Sequence, residues 1–521
     1  MHDLLIRGAL VHDGLGNPAR TADVAIAGDR IAAVGASLGD ARRVIDADGL
    51  AVAPGFIDPH AHSDFVPLMD EPQPFKLLQG VTTEVVGNCG FSFAPLTEES
   101  AAEARLSFGD LAAGAAIEAS TFAEYLARVE AAGPTNHISA LVGHNTLRLT
   151  ANGNAAKLAD GALDEMRRLA AEAFEAGAAG LSTGLIYIPG TYSDRDEVVA
   201  LAEVAHGFDR LYTSHMRDEG PALEEALDEA IEIGRRARVR VQISHCKAAG
   251  TASHGKGHVL LDKVHAARLD GVDIRGDQYP YLAGGTFLNA LLPADVRDGG
   301  IEVFRARLRD PDEVERLRAV ATRATDETAG LWGQTTPEGV LVNRHADPSA
   351  VGRTLAQIAG DRDPWLVVCD LIERDPTAMM VVTIMDEEDV RTIMRDPLIG
   401  VGSDNGIPEG LDHPRTWGCF PRFLGRYVRE LGVVDWPEAI RKMTSGTADQ
   451  FRLTGRGWLG PGAIADVCVF DPETIGHDGT YEKPDVKPTG IEYVFLAGAV
   501  VVDDGAFSGE RRGRVIRAGS V

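Results

Sequence analysis

Between residues 53 and 283 the chain keeps one rhythm, and that rhythm limits its fold more than any other feature. Short apolar runs alternate with Ala/Glu/Arg-rich stretches such as LDEMRRLAAEAFEAGAAG (163–180) and ALEEALDEAIEIGRRAR (222–238). Alternation of this kind over several hundred residues calls for a parallel sheet, because each crossover helix returns the chain to start the next strand in the same direction. Eight runs have strand character: 53–59, 82–87, 137–143, 179–185, 211–214, 240–244, 272–277 and 398–402. Eight strands favour closure into a (β/α)8 TIM barrel. A ninth run, AMMVVTIM at 378–385, competes for one of those places.

The two ends of the chain read differently. Residues 3–53 and 464–504 carry period-two alternation broken by Gly and Asp, as in ADVAIAGDRIAAVG and IEYVFLAGAVVVDDG. Such hairpin patterns predict that 1–54 and 455–521 pair into one small β-sandwich domain, with 55–283 and 346–454 forming the barrel. Residues 284–345, which start with GGTFLNALLPADV and continue into a charge-dense helical run at 303–327, are too long for a βα loop. They predict an inserted subdomain, placed to act as a lid over the barrel mouth.

A net charge of −27 excludes nucleic acid or an anionic membrane as partner and points to a small-molecule substrate, one that needs a local cationic pocket if it is anionic. The five cysteines are odd in number and widely spaced, which argues for a reducing compartment rather than a disulfide framework. No signal peptide or membrane span is expected from the opening MHDLLIRGALVHDG or from any later apolar run, so the cytoplasm is the expected location. Nothing in the composition specifies an oligomeric state.

The chemistry gathers at the ends of the apolar runs. PHAHSD brings His60 and His62 after the first, and GNCG brings Cys89 after the second. His215, His245 and Asp404 follow three later ones. The C-terminal rim is where barrels of this kind build their sites, so residues distant in sequence converge there. A lone His after a strand is usually a hydrogen-bonded loop residue. Imidazole, thiolate and carboxylate together at five strand ends make a metal site's inventory, best suited to Zn²⁺.

Longer motifs sharpen this. GFIDPHAHSD, TSHMRDEG, ISHCK and GSD resemble the amidohydrolase superfamily, and GVTTEVVGNCGFSFAP, GLSTGLIYIPGTYS, DQYPY and HPRTWGCFPRFLGRYVRE resemble its D-aminoacylase (N-acyl-D-amino-acid deacylase) branch over nearly the whole chain. The resemblance implies a zinc-dependent hydrolase of linear amides. The fourth strand, GAAGLSTGLIY, offers no lysine to bridge two metals, and Cys89 matches the cysteine that serves in this branch. A tight zinc would be held by Cys89, His215 and His245, and a second, weaker position by His60, His62, Cys89 and Asp404. Asp404 would be general base and then acid, although an aspartate after a strand is also a common helix cap.

The resemblance further implies that Lys247 and Tyr187 bind the substrate carboxylate, that Arg415 joins them through its fork, and that Tyr279 lines the pocket. His144 reads as structural. Two departures concern the substrate: Gly284-Gly285-Thr286 stands where relatives carry a serine, so a hydrogen bond is lost or passes to Thr286, and Asn405 replaces a glycine. The alanine-rich stretch at 98–120 is a third. Competing readings are a dipeptidase acting on L-Xaa-D-Xaa and an inactive scaffold. A cyclic-amide hydrolase is disfavoured by the missing lysine.

Overall fold

The computed structural model describes residues 1–108, 117–297, 300–323 and 330–519. Within the alanine-rich stretch a helix covers Glu98–Phe108, and 109–116 lie outside the described residues.

Eight parallel strands form the barrel wall: Phe56–Asp58, Val81–Val86, His137–Ala140 (continued as Val142–Gly143), Gly180–Gly184, Leu211–His215, Arg240–Ile243, Ile274–Gln278 and Ile399–Val401. Each pairs with its sequential neighbour. The third strand serves its two neighbours with different halves, His137–Ala140 toward the second and Val142–Gly143 toward the fourth. The seventh pairs with the eighth across the long excursion between them. Closure between eighth and first comes just past the strands, where Ala61 bridges Asn405 and the Asp404 amide donates to the His60 carbonyl at 2.8 Å. These strands are buried on both faces, which is why they read as apolar runs instead of alternating ones.

The crossover helices cover the wall with one apolar stripe each. In Leu223–Ala237 the buried positions Leu223, Ala226, Leu227, Ala230, Ile231, Gly234 and Ala237 follow helical spacing, and of the charged residues of this helix Glu229 is buried against Arg217.

The chain ends meet in one nine-stranded sheet, joined where Ala51–Pro54 pairs antiparallel with Val467–Phe470. Alternation divides the latter strand between two cores. Val467 and Val469 pack with Ile6, Val24 and Phe495 inside the end domain, whereas Cys468 and Phe470 pack against the barrel side with Phe56 and Phe420. Residues 53 and 54 therefore belong to the end sheet and not to the first barrel strand.

The ninth apolar run does not enter the wall. Met379–Thr383 lies in a separate antiparallel sheet, between Ala283–Phe287 and Val340–Arg344, with Arg353–Thr354 at its edge. The inserted unit thus continues past residue 345, where the sequence pattern placed its end. Among the described residues no helix is long and apolar enough to cross a membrane.

Candidate metal centre

The turn that carries Cys89 explains its glycines. Gly87, Cys89 and Gly90 all have positive φ, 80°, 52° and 80°. A side chain on Gly87 would meet the Leu141 carbonyl oxygen at 2.3 Å, and one on Gly90 the Gly184 amide nitrogen at 2.7 Å. Gly184, at the end of the fourth strand, is equally committed, because a Cβ there would sit 2.0 Å from the Cys89 carbonyl oxygen. The fourth strand therefore ends on a glycine so that the Cys89 turn can press against it. His245 (φ 35°) and Asp404 (φ 49°) share the left-handed backbone of Cys89. Non-glycine residues adopt it at a cost of roughly 1–3 kcal/mol, and they concentrate where a side chain must be aimed.

Those three side chains meet with His60, His62 and His215. The Cys89 sulfur lies 3.3 Å from His60 Nε2 and 3.5 Å from His245 Nε2, and His245 Nε2 lies 2.9 Å from His215 Nδ1. Asp404 Oδ1 lies 3.1 Å from His62 Nε2 and 3.4 Å from His60 Nε2. Two groups of donor atoms have all members within 4.8 Å of one another: Cys89, His215 and His245, and His60, His62, Cys89 and Asp404. Burial alone would push the Cys89 thiol up, but the charges of His60, His215 and His245 outweigh it and hold the thiol well below its ordinary range. Burial likewise opposes ionisation of Asp404, and Arg415 and His60 reverse that, leaving it a carboxylate.

The residues expected to bind the substrate lie together beside the cluster. Lys247 Nζ lies 2.6 Å from Glu219 and 2.7 Å from His245 Nδ1. Arg415 Nη1 lies 2.8 Å from Asp404 Oδ2. The Tyr279 ring stands between the two cations, 5.7 Å from Lys247 and 4.6 Å from Arg415. Tyr187 turns its ring toward His215, with centroids 5.0 Å apart, and its hydroxyl lies 3.2 Å from Thr286 Oγ1. His144 stays outside the cluster, 2.8 Å from Glu197.

Several buried supports were not legible as site residues. Glu219 lies 2.8 Å from His245 Nδ1; its place four residues after His215, inside TSHMRDEG, is the signal that could have found it. Asp277, at the end of the seventh strand, accepts from the His245 amide at 2.8 Å and lies 3.2 Å from His60 Nδ1. Beneath the cluster, fully buried Lys76 pairs with Asp58 and donates to Ser403 Oγ (3.0 Å) and Asn405 Oδ1 (2.7 Å). Asn405, which stands where a glycine was expected, thus turns its side chain down to Lys76.

His62, Cys89, His215, His245 and Asp404, with Lys247, Tyr187, Tyr279 and Arg415, line a cavity of about 710 Å³, to which the insertion contributes Leu331, Met379 and Val382. The amidohydrolase family model matches residues 43–502. An N-acyl-D-glutamate deacylase from Alcaligenes xylosoxydans xylosoxydans is 39% identical over 99% of this chain and 96% of its own length. A D-aminoacylase structure, described for a binuclear metal centre with one-metal activation and second-metal attenuation, matches at 35% identity and a TM-score of 0.85 over 99% of both chains. An N-acyl-D-glutamate deacylase from Bordetella bronchiseptica, complexed with zinc and a phosphonate mimic of the tetrahedral intermediate, matches at 33% identity and a TM-score of 0.83, covering 99% of this chain and all of that one.

Proposed function

The chain belongs to the amidohydrolase family, and from that premise we propose that it is a zinc-dependent amide hydrolase releasing a D-amino acid from an N-acyl-D-amino acid. The observation that carries this reading is the convergence of the Cys89 sulfur with one nitrogen each of His215 and His245, beside the carboxylate of Asp404.

The donor set fits zinc. His245 Nε2 and His215 Nδ1 face each other at 2.9 Å with a depressed-pKa sulfur beside them, so several lone pairs point at one centre and a shared cation satisfies them together. Cys89, His215 and His245 would hold the tight ion, and His60, His62, Cys89 and Asp404 a second, weaker one. Glu219 and Asp277 orient His245 and His60 from behind, the usual service of carboxylates to ligating imidazoles. When bound, zinc polarises the amide carbonyl and acidifies water.

The reaction adds one water across the amide, giving a carboxylic acid and a D-amino acid. Asp404 takes a proton from the attacking water and returns it to the departing nitrogen. Lys247, Arg415 and the Tyr187 hydroxyl bind the substrate carboxylate, with the Tyr279 ring keeping the two cations apart. A carboxylate arriving at Arg415 draws that guanidinium from Asp404, which raises the basicity of the aspartate as substrate binds. The insertion, whose apolar Leu331, Met379 and Val382 line the cavity, serves as a lid over it. Five unpaired, buried cysteines support a cytoplasmic location.

The test is a screen of zinc-loaded protein against N-acetyl-D-amino acids, their L-forms and L-Xaa-D-Xaa dipeptides, following amino acid release. Turnover of the D-forms alone is expected, and turnover confined to the dipeptides would make the chain a dipeptidase. Asp404→Ala should cut kcat by at least about 10³-fold while retaining the tight zinc by elemental analysis, as expected for loss of a proton-transfer group. Cys89→Ala should lose zinc and turnover together; full zinc and activity there would sink the ligand assignment.

A further inference from the structure

The cavity has apolar surface both on the insertion, beside Arg344, and on the loops after the second, third and fourth strands, which carry no lining cation among the described residues, and we propose that the latter surface receives the acyl group of the substrate, selecting amides with a medium-length aliphatic or aromatic acyl part over acetyl. This rests on the deacylase reading above. In R–CO–NH–CHR′–COO⁻ the trans amide sends R and the carboxylate-bearing carbon away from each other. Among the described residues the cavity's four cations are Arg217, Lys247, Arg344 and Arg415. They follow the fifth, sixth and eighth strands or belong to the insertion. With the carboxylate held by Lys247 and Arg415 and the carbonyl at the ligand cluster, R must point toward the loops after the second, third and fourth strands.

That side of the cavity carries a continuous apolar surface. Phe91 and Phe93, half-buried, follow the Cys89 turn directly. Phe91 lies 5.4 Å from the Tyr187 ring, which itself borders His215, so the apolar surface begins at the ligand cluster. Phe93 continues it, 5.3 Å from Phe65 on one side and packed against the cluster of Leu96 and Leu149 on the other. Ser92 and Thr146 in this wall are occupied by backbone, and its other polar groups are Asn145, whose Oδ1 accepts no hydrogen bond among the described residues, Asn154, which donates to Glu103, and the buried Asp64. Ser92 Oγ donates to the Ala94 carbonyl at 2.6 Å and accepts from the Gly143 amide at 3.0 Å. Thr146 Oγ1 donates to the Ser92 carbonyl and accepts from the Ser92 amide, both at 2.9 Å. The Asn145 amide group donates to the carbonyls of Gly184 (3.2 Å) and Tyr187 (3.3 Å). An acetyl group would leave the far part of this surface uncovered. A chain of several methylenes or a phenyl ring would bury it, at a gain of roughly threefold to fourfold per methylene.

The experiment measures kcat/KM of the zinc-loaded protein on N-acetyl-, N-butanoyl-, N-hexanoyl- and N-phenylacetyl-D-methionine, with zinc content recorded for each preparation. Hexanoyl and phenylacetyl substrates should exceed acetyl by at least tenfold. Phe93→Asn should reduce the hexanoyl-to-acetyl ratio at least tenfold. As a readout apart from turnover, hexanoate and phenylacetate, the acid products, should bind more tightly than acetate in equilibrium titrations, and Phe93→Asn should abolish that difference. Active enzyme with no dependence on acyl length, and equal binding of the three acids, would overturn the acyl assignment and leave the deacylase reading intact. Zinc-loaded protein that turns over none of the four would overturn both.

Discussion

At the mouth end of the eighth strand, Ile399–Val401, the buried Lys76 is surrounded by opposite charge: it pairs with Asp58, and Glu84 lies 3.5 Å away. At the foot of the same strand the hydrogen bonds of the buried Lys442, among the described residues, go to carbonyl oxygens, those of Met394 (2.9 Å), Asp396 and Ile399 (2.8 Å), with the Glu438 and Asp396 carboxylates acting on its charge without a direct bond. Burial lowers the pKa of both. At Lys76 the two carboxylates reverse the effect and raise it, whereas at Lys442 burial wins and the value falls to about 8. The difference matches what each end must do. Ser403 and Asn405 flank Asp404, and Lys76 holds both side chains while Asp58 accepts from the Ser403 amide at 3.0 Å. An aspartate with φ 49° stays in place because its neighbours are tied on both sides. The foot has no side chain to aim, and carbonyls suffice to seal it.

The largest effect should come from Lys76→Met, which leaves Asp58 and Glu84 buried without their counter-charge. A loss of about 3–5 kcal/mol is expected in denaturant unfolding. The surviving folded fraction should lose turnover more severely than zinc, since the ligands on other strands remain. A loss under about 1 kcal/mol would mean that the two carboxylates are already neutral, and the contrast with Lys442 would collapse. The next effect compares glycines. Gly184→Ala drives a methyl group into the Cys89 carbonyl, so zinc affinity should fall tenfold or more in competition with a chelator. At Gly400, in the eighth strand, an added Cβ meets nothing nearer than 3.6 Å, and Gly400→Ala should leave zinc affinity unchanged. Equal behaviour of the two variants would show that the Cys89 turn tolerates displacement.

The same contrast marks what could be read from the sequence. His60, His62, Cys89, His215, His245 and Asp404 each follow an apolar strand, so parallel topology alone brings them together and local pattern suffices to find them. Lys76 sits in PFKLLQG with no local sign of its role, because its partner Ser403 is 327 residues away. Glu219 and Asp277 were visible only as acidic residues near strand ends, and it took the fold to turn them onto His245 and His60. The run at 378–385 misled for another reason. An apolar run of that length looks alike in a parallel barrel and in an antiparallel insertion, and its pairing with Ala283–Phe287 leaves no trace in period. For this reason the extent of the antiparallel unit past residue 345 was not legible.

The smallest effect belongs to the foot. Lys442→Met removes three hydrogen bonds and strands no carboxylate, so the cost near neutral pH should be about 1–3 kcal/mol, well below that of Lys76→Met. Its pH dependence identifies the cause. The folded-state pKa of Lys442 is about 8, against an ordinary lysine value of 10.5. Between those values the unfolded chain keeps a proton that the folded chain has released, so stability from this group grows as pH rises from about 8 toward 10.5 and is lost as pH falls back through 8. Urea unfolding of the native chain and of Lys442→Met, at pH 7.5 and at pH 9.5 or so, should show the native chain gaining relative to the variant at the higher pH. Lys76, with its pKa raised by Asp58 and Glu84, shows no such gain across the same interval. A native chain that instead loses ground to Lys442→Met would mean that the three carbonyls hold the ammonium as firmly as the carboxylates hold Lys76, and the two ends of the strand would then be sealed by the same physics.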